Sequence, residues 1–233
     1  MLRLIQKDIR VIAAFGWLIA WLVAPSYLVP AMVAARAGGA ILWVHVAFGA
    51  AAIVSVCLLE ARSGADRFIH SLPVTRADVV RGRYGTAVVT ALVVMGVGAA
   101  FGLVVGAASP DGAWPRWLAP DVGLAYLVVM AIVAAVYLPC YFRWGYGAGS
   151  VVAAMLLAGL VIAGDVAGSA AGMATAGGHA QPGLPRGLVM HLTAAAVERW
   201  GLVAASIAGA AGAALLLWVS AAIAARAYGN RQF

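Results

Sequence analysis

Six long apolar stretches of this chain contain no Asp, Glu, Lys or Arg: residues 11–33, 40–59, 84–108, 122–142, 146–164 and 202–225. A bilayer core about 30 Å thick is crossed by about 20 residues of helix rising about 1.5 Å each, so every one of these runs is long enough to span. Inside lipid the backbone must satisfy its own hydrogen bonds. Long continuous runs of Ala, Val and Leu do so as helices, whereas a barrel would show short alternating segments. The sequence therefore predicts an all-α, polytopic membrane protein with six transmembrane helices in one domain, 1–233. The first run is too long for a signal-peptide core and lacks a small-residue cleavage site, so it is expected to remain as a span.

Composition supports this class and excludes others. Only 10% of the residues are charged and 65% are hydrophobic, where a soluble domain carries about a quarter charged to cover its surface. The net charge of +7 does not indicate a nucleic-acid partner. The 15 basic residues are Lys7 and scattered arginines, with no stripe to follow a phosphate backbone. Lys7 lies in LIQKDIR, outside any G-x-x-x-x-G-K motif, so ATP hydrolysis by a P-loop is not expected of these residues. Cys57 and Cys140 sit in apolar runs and are expected to be packing residues.

The basic residues orient the spans. With a cytoplasmic N-terminus, Arg3, Lys7, Arg10, Arg62, Arg67, Arg76, Arg81, Arg83, Arg143, Arg226 and Arg231 are inside, and Arg36, Arg116, Arg186 and Arg199 are outside. That asymmetry places both termini in the cytoplasm. Trp43, Trp114, Trp117 and Trp200 then fall at the outer boundary, and Tyr84, Tyr141, Trp144 and Tyr146 form an expected inner belt. The short links AARAGG and RWG demand tight hairpins between spans one and two and spans four and five. The Gly/Ala-rich outer segment 165–201 is expected to include a short helix, GLVMHLTAAAVERW, begun just after Pro185.

The most structured polar stretch is EARSGADRFIHSLPVTRADVVRGRYG, between spans two and three. Ser63 with Asp66 and Thr75 with Asp78 each form an S/T-x-x-D box, in which a hydroxyl caps a helix start and a carboxylate follows three residues later. Pro73 ends the first helix, so a short surface helix is predicted at about 65–71, before a second that runs from Arg76 into span three. Phe68, Ile69 and Leu72 beside Asp66, Arg67 and His70 give it an apolar face with a polar rim. Such a face suits either docking of a partner or packing back against neighbouring helix ends. Near the N-terminus, Arg3, Lys7 and Arg10 alternate at helical spacing with Leu2, Ile5 and Ile9, which predicts an interfacial helix over 2–10.

The run E-x-x-S-x-x-D-R-F-x-x-S-L-P-V-T-R-x-D-V-V-x-x-R-Y, from Glu60 to Tyr84, resembles the small permease subunits of type-2 ATP-binding-cassette exporters. The opening LRLIQKDIR and the closing SAAIAARAYGNRQF look like the two ends of the same family. The resemblance implies a bacterial inner-membrane, multi-pass permease that pairs with a second copy or a paralogue. It also implies a coupling helix, 63–73, seated in a groove of a separate P-loop ATPase. Asp66, Arg67, Phe68, Ile69, His70, Ser71 and Leu72 would touch that ATPase, and Pro73 would set the helix angle. No cofactor is expected in this chain, since ATP and Mg would bind the partner. The implied cargo is an amphipathic or hydrophobic molecule such as a peptide toxin or antimicrobial. Glu60 would anchor the inner end of span two, with Arg62, Arg67 or an N-terminal basic residue as partner; an ordinary helix-end carboxylate is the alternative.

Other features carry less. Gly98, Gly102 and Gly106 allow close helix approach, within a protomer or between protomers. Pro25, Pro30 and Pro139 can bend their spans. His45, apart from the cysteines, is the one titratable group deep in a span and is expected to face protein. An ATP-independent transporter or channel is the second functional class, disfavoured because the spans carry no acidic or basic group of the kind ion coupling uses at the midplane. Enzyme readings fail because Asp165 has no second carboxylate at membrane depth and His45 has no orienting acid.

Overall fold

The computed structural model describes residues 38–63, 75–108, 118–159 and 188–229. The expected interfacial helix, the first span and the 65–71 helix lie outside them. The described elements are α1 (Gly38–Ser63), α2 (Arg76–Ala108), α3 (Pro120–Trp144), α4 (Tyr146–Gly159), α5 (Leu188–Trp200) and α6 (Leu202–Gly229). No strand occurs among the described residues. Among the described residues, four helical stretches are long and apolar enough to cross a membrane: those of α1, α2, α3 and the stretch Ala195–Gly229 that ends in α6. The short apolar α4 covers most of the fifth expected span.

The helix boundaries follow from local chemistry. Thr75 caps α2: its hydroxyl accepts from the Asp78 amide at 3.2 Å and donates to the Asp78 carboxylate at 2.6 Å, which is the box written in the sequence. Pro120 opens α3 at the position where a missing N–H costs nothing. The helix continues through Pro139 and stops at Gly145, whose φ of 85° is open to glycine and whose amide closes on the Tyr141 carbonyl at 2.8 Å. That single residue is the whole link to α4, as RWG requires. The new helix folds back so closely that a Cβ on Gly149 would stand 3.2 Å from the Tyr141 Cα. Gly201, with φ 79°, makes the equivalent bend between α5 and α6. The short helix α5 is therefore present where GLVMHLTAAAVERW predicts one.

The element at the centre is α3. It touches α1, α2, α5 and α6, most extensively α6. Its spanning stretch is 61% buried, against 6% for the stretch that ends in α6. Val129, Val133, Tyr137 and Leu138 are sealed within the core. The aromatic pile Tyr137, Tyr141, Phe142 and Tyr228 then ties the ends of α3 and α6, with ring centroids 5.1 to 6.1 Å apart. This corrects the expected inner belt. Tyr84 and Tyr141 turn into the core and are 6% and 7% exposed, whereas Trp144 stays out at 60%. A tyrosine in a span can exchange a headgroup for a protein partner when one is close, and both find one here.

Helices approach each other at small residues. A Cβ on Gly49 of α1 would meet Met130 and the Tyr126 hydroxyl, and one on Gly209 of α6 would meet Leu124 at 2.7 Å. Gly98 of α2 has a more specific role: a Cβ there would run into the His45 imidazole of α1. His45 is 8% exposed and meets Tyr126 edge-on with centroids 6.1 Å apart, so it faces protein as its chemistry demands. The glycine spacing in span three is thus used at Gly98 inside the protomer. Gly98→Ala is expected to lower the thermal midpoint in detergent by overpacking, at a cost of about 1–3 kcal/mol. In a His45→Ala background the same change should cost less than half as much; an equal loss in both backgrounds would remove the contact from the account.

Candidate functional site

Two constellations stand out, one polar and one apolar. The polar one lies at the end of the bundle where the 64–74 segment leaves α1 and rejoins the chain at α2. Glu60, in the last turn of α1, forms an ion pair with Arg83 of α2; both side chains are almost fully buried, at 9% and 5% exposure. Taking two charges out of water is costly and is offset only by close, well-directed pairing. Around the pair is a cavity of about 140 Å³ lined by Val79, Tyr141, Phe142, Tyr146 and Tyr228, so ends of α1, α2, α3, α4 and α6 converge here. The sequence offered Arg62, Arg67 or an N-terminal basic residue as the partner of Glu60. Arg83 takes that place, while Arg62 is exposed, since residues two apart on a helix point to different faces.

Arg76, the residue after the Thr75 cap, extends the same cluster. Its guanidinium donates to the carbonyl oxygens of Tyr228 and Gly229 at 3.1 and 2.7 Å and lies 6.0 Å from the Tyr228 ring centre. A cation at the C-terminus of α6 satisfies carbonyls that have no intrahelical donor and matches the negative helix end. The start of α2 is thereby fastened to the end of α6.

Higher in the bundle, Tyr84, Ser220 and the Ala135 carbonyl form a chain of hydrogen bonds through three helices. Ser220 donates to the Ala135 oxygen at 2.6 Å, so its lone pairs receive the Tyr84 hydroxyl, also at 2.6 Å. Neither hydroxyl meets lipid.

The apolar constellation is a groove of about 610 Å³ between α2, α3 and α6. Leu92, Met95, Leu124, Leu127 and Leu217 shape it, and Ser206 is the only polar side chain along it. A pocket of this size and character accepts an apolar or amphipathic molecule. Near the other end of the bundle, a smaller cavity of about 190 Å³ runs beside His45, Met95, Gly98 and Tyr126.

A family model described as ABC-2 family transporter protein matches residues 3–228. The chain belongs to that family. It is a multi-pass membrane component of a transporter, with no catalytic role of its own. No curated protein and no solved structure matches the chain.

Within this ABC-2 protein, the residues expected to contact an ATPase, Asp66 through Pro73, lie outside the described residues, as do Arg3, Lys7 and Arg10 of the interfacial helix. Glu60 is described, and the structure adds Arg83, Arg76, Tyr84 and Ser220, which sequence reasoning did not place together. For Arg83 the sequence carried a partial signal, shared with Arg81. A buried acid at the end of one span calls for a cation on the helix that follows it, and VVRGRY begins that helix. Ser220, a lone hydroxyl in LWVSAA, signalled a polar contact without naming its partner. Tyr84→Phe is expected to cost about 0.6 kcal/mol, the average for a hydrogen bond between membrane helices. Ser220→Ala should cost about 1–2 kcal/mol because it strands the tyrosine hydroxyl. Adding Tyr84→Phe to Ser220→Ala should then recover stability in a thermal melt; further additive loss would mean the two hydroxyls act separately.

Proposed function

We propose that this chain is the membrane-spanning subunit of an ATP-driven exporter, working as a pair of permeases with two ATPase subunits. The observation that carries the reading is membership of the ABC-2 family over residues 3–228. ATP hydrolysis is assigned to a partner chain because the single lysine, Lys7, has no P-loop around it. The 64–74 segment is the coupling element, with Asp66, Arg67, Phe68, Ile69, His70, Ser71 and Leu72 as its contact face and Pro73 setting its angle. Closure of the ATPases on ATP would push this segment, and the helices joined to it would shift to open a path. Arg3, Lys7 and Arg10 hold an interfacial helix on the cytoplasmic leaflet, and both termini are cytoplasmic in a bacterial inner membrane.

The apolar groove between α2, α3 and α6 supports a cargo that is hydrophobic or amphipathic, such as a peptide toxin or antimicrobial, since its lining offers almost nothing to an ionic solute. The double variant Arg67→Glu/Phe68→Ala should lose co-purification of a P-loop ATPase from native membranes while keeping the monodisperse profile of the unaltered protein. Retained ATPase in equal amount would overturn the coupling assignment. Substrate movement by the purified chain alone, driven by an ion gradient without nucleotide, would overturn the ATP-driven reading as a whole.

A further inference from the structure

The 64–74 segment hangs from two helix ends, and the polar cluster lies just inside them. Glu60 is one turn of α1 from the segment, Arg83 is two turns along α2 beyond it, and Arg76 follows the cap directly. We propose that the Glu60–Arg83 ion pair is the positioning element that turns movement of the 64–74 segment into joint movement of α1 and α2, with Arg76 extending the moving unit to α6. This rests on the ATP-driven reading above and adds to it the residues through which the stroke enters the bundle.

Three observations carry the inference. First, the pair is an expensive way to hold two membrane helices together. Apolar residues of similar volume would hold α1 to α2 as well or better, so a buried pair is poor evidence for stability alone. What it adds is direction: a bidentate-capable guanidinium facing one carboxylate resists sliding and rotation that packed methyl groups would tolerate. Secondly, it stands where a push on the segment must pass, because without it the inner ends of α1 and α2 could splay as the segment moved. Thirdly, α2 is fastened at its first residue to the carbonyls of Tyr228 and Gly229, and again at Tyr84 through Ser220 to α6 and α3. A displacement delivered to α2 therefore reaches α6 and, through the extensive contact between α6 and α3, the centre of the bundle.

The experiment uses the permease purified with its co-purifying ATPase in lipid nanodiscs, with ATP and vanadate as the probe in place of an unidentified cargo. Hydrogen exchange is followed across 92–104 of α2, distant from the cluster, with and without trapped nucleotide. The unaltered complex is expected to change its exchange there on trapping. Glu60→Gln and Arg83→Gln should each reduce that change at least fivefold while the ATPase stays bound and hydrolyses ATP. The charge-exchanged variant, Glu60→Arg with Arg83→Glu, should restore the change to within twofold. Single variants that respond as the unaltered complex does would overturn the proposal. So would a charge-exchanged variant that melts normally and retains the ATPase but stays unresponsive. If the unaltered chain purifies without any ATPase, the ATP-driven reading falls and the proposal falls with it, an outcome distinct from the other two because it appears before any variant is scored.

Discussion

Lipid offers no hydrogen bonds, and every feature of this chain follows from that constraint. The backbone is helical wherever it is apolar for long enough, because each N–H and C=O must find its partner within the same segment. Several polar side chains at membrane depth then face inward and find partners within the protein. Ser220 and Tyr84 bond each other and the Ala135 carbonyl, Thr86 bonds the Gly82 carbonyl at 3.1 Å, and His45 turns into the gap left by Gly98. Exposed positions carry Val, Leu and Ile, as at Val104, Val203 and Ile207. The inside and outside of this protein are thus opposite in polarity to those of a soluble domain, and only the ends of its helices resemble water-exposed structure.

With no hydrophobic drive between helices already dissolved in lipid, close contact has to come from shape. Glycine supplies it at Gly49, Gly149 and Gly209, where a methyl group would press on Met130, Tyr141 or Leu124. These contacts share one partner helix, α3, which explains why it is the best buried element and why the aromatic residues of the bundle gather on it. The central helix is fixed by packing, most extensively against α6, while α2 touches both of them less and the apolar groove lies between the three.

Much of this was legible in the sequence because the bilayer reduces the choices. Charge-free runs gave the positions of α1, α2, α3 and α6, Thr75 and Asp78 gave the start of α2, and Gly145 in RWG gave the turn into α4. The chemistry between helices was not legible. Glu60 and Arg83 are separated along the chain by a whole polar segment, and nothing in spacing tells which of several arginines faces a given carboxylate once two helices pack side by side. Tyr84 and Tyr141 misled for a related reason. A tyrosine at a span end serves equally as a headgroup anchor or a core residue, and the choice depends on whether a hydroxyl such as Ser220 or a close-packed helix such as α4 at Gly149 stands opposite, which is a tertiary fact.

The distribution of polar contacts also bears on how such a bundle could move. The polar links from α2 to α1 and α6 are concentrated near one end, at Arg76, Arg83 and the adjacent Tyr84, whereas further along α2 meets α1 through the close approach of Gly98 to His45. Charge pairing and carbonyl capping thus hold α2 at one end, and small-residue packing at Gly98 holds it to α1 further along. On α2 the groove is lined by Ala87, Val88, Ala91, Leu92 and Met95, so it opens between the polar tie at Tyr84 and the close glycine contact at Gly98.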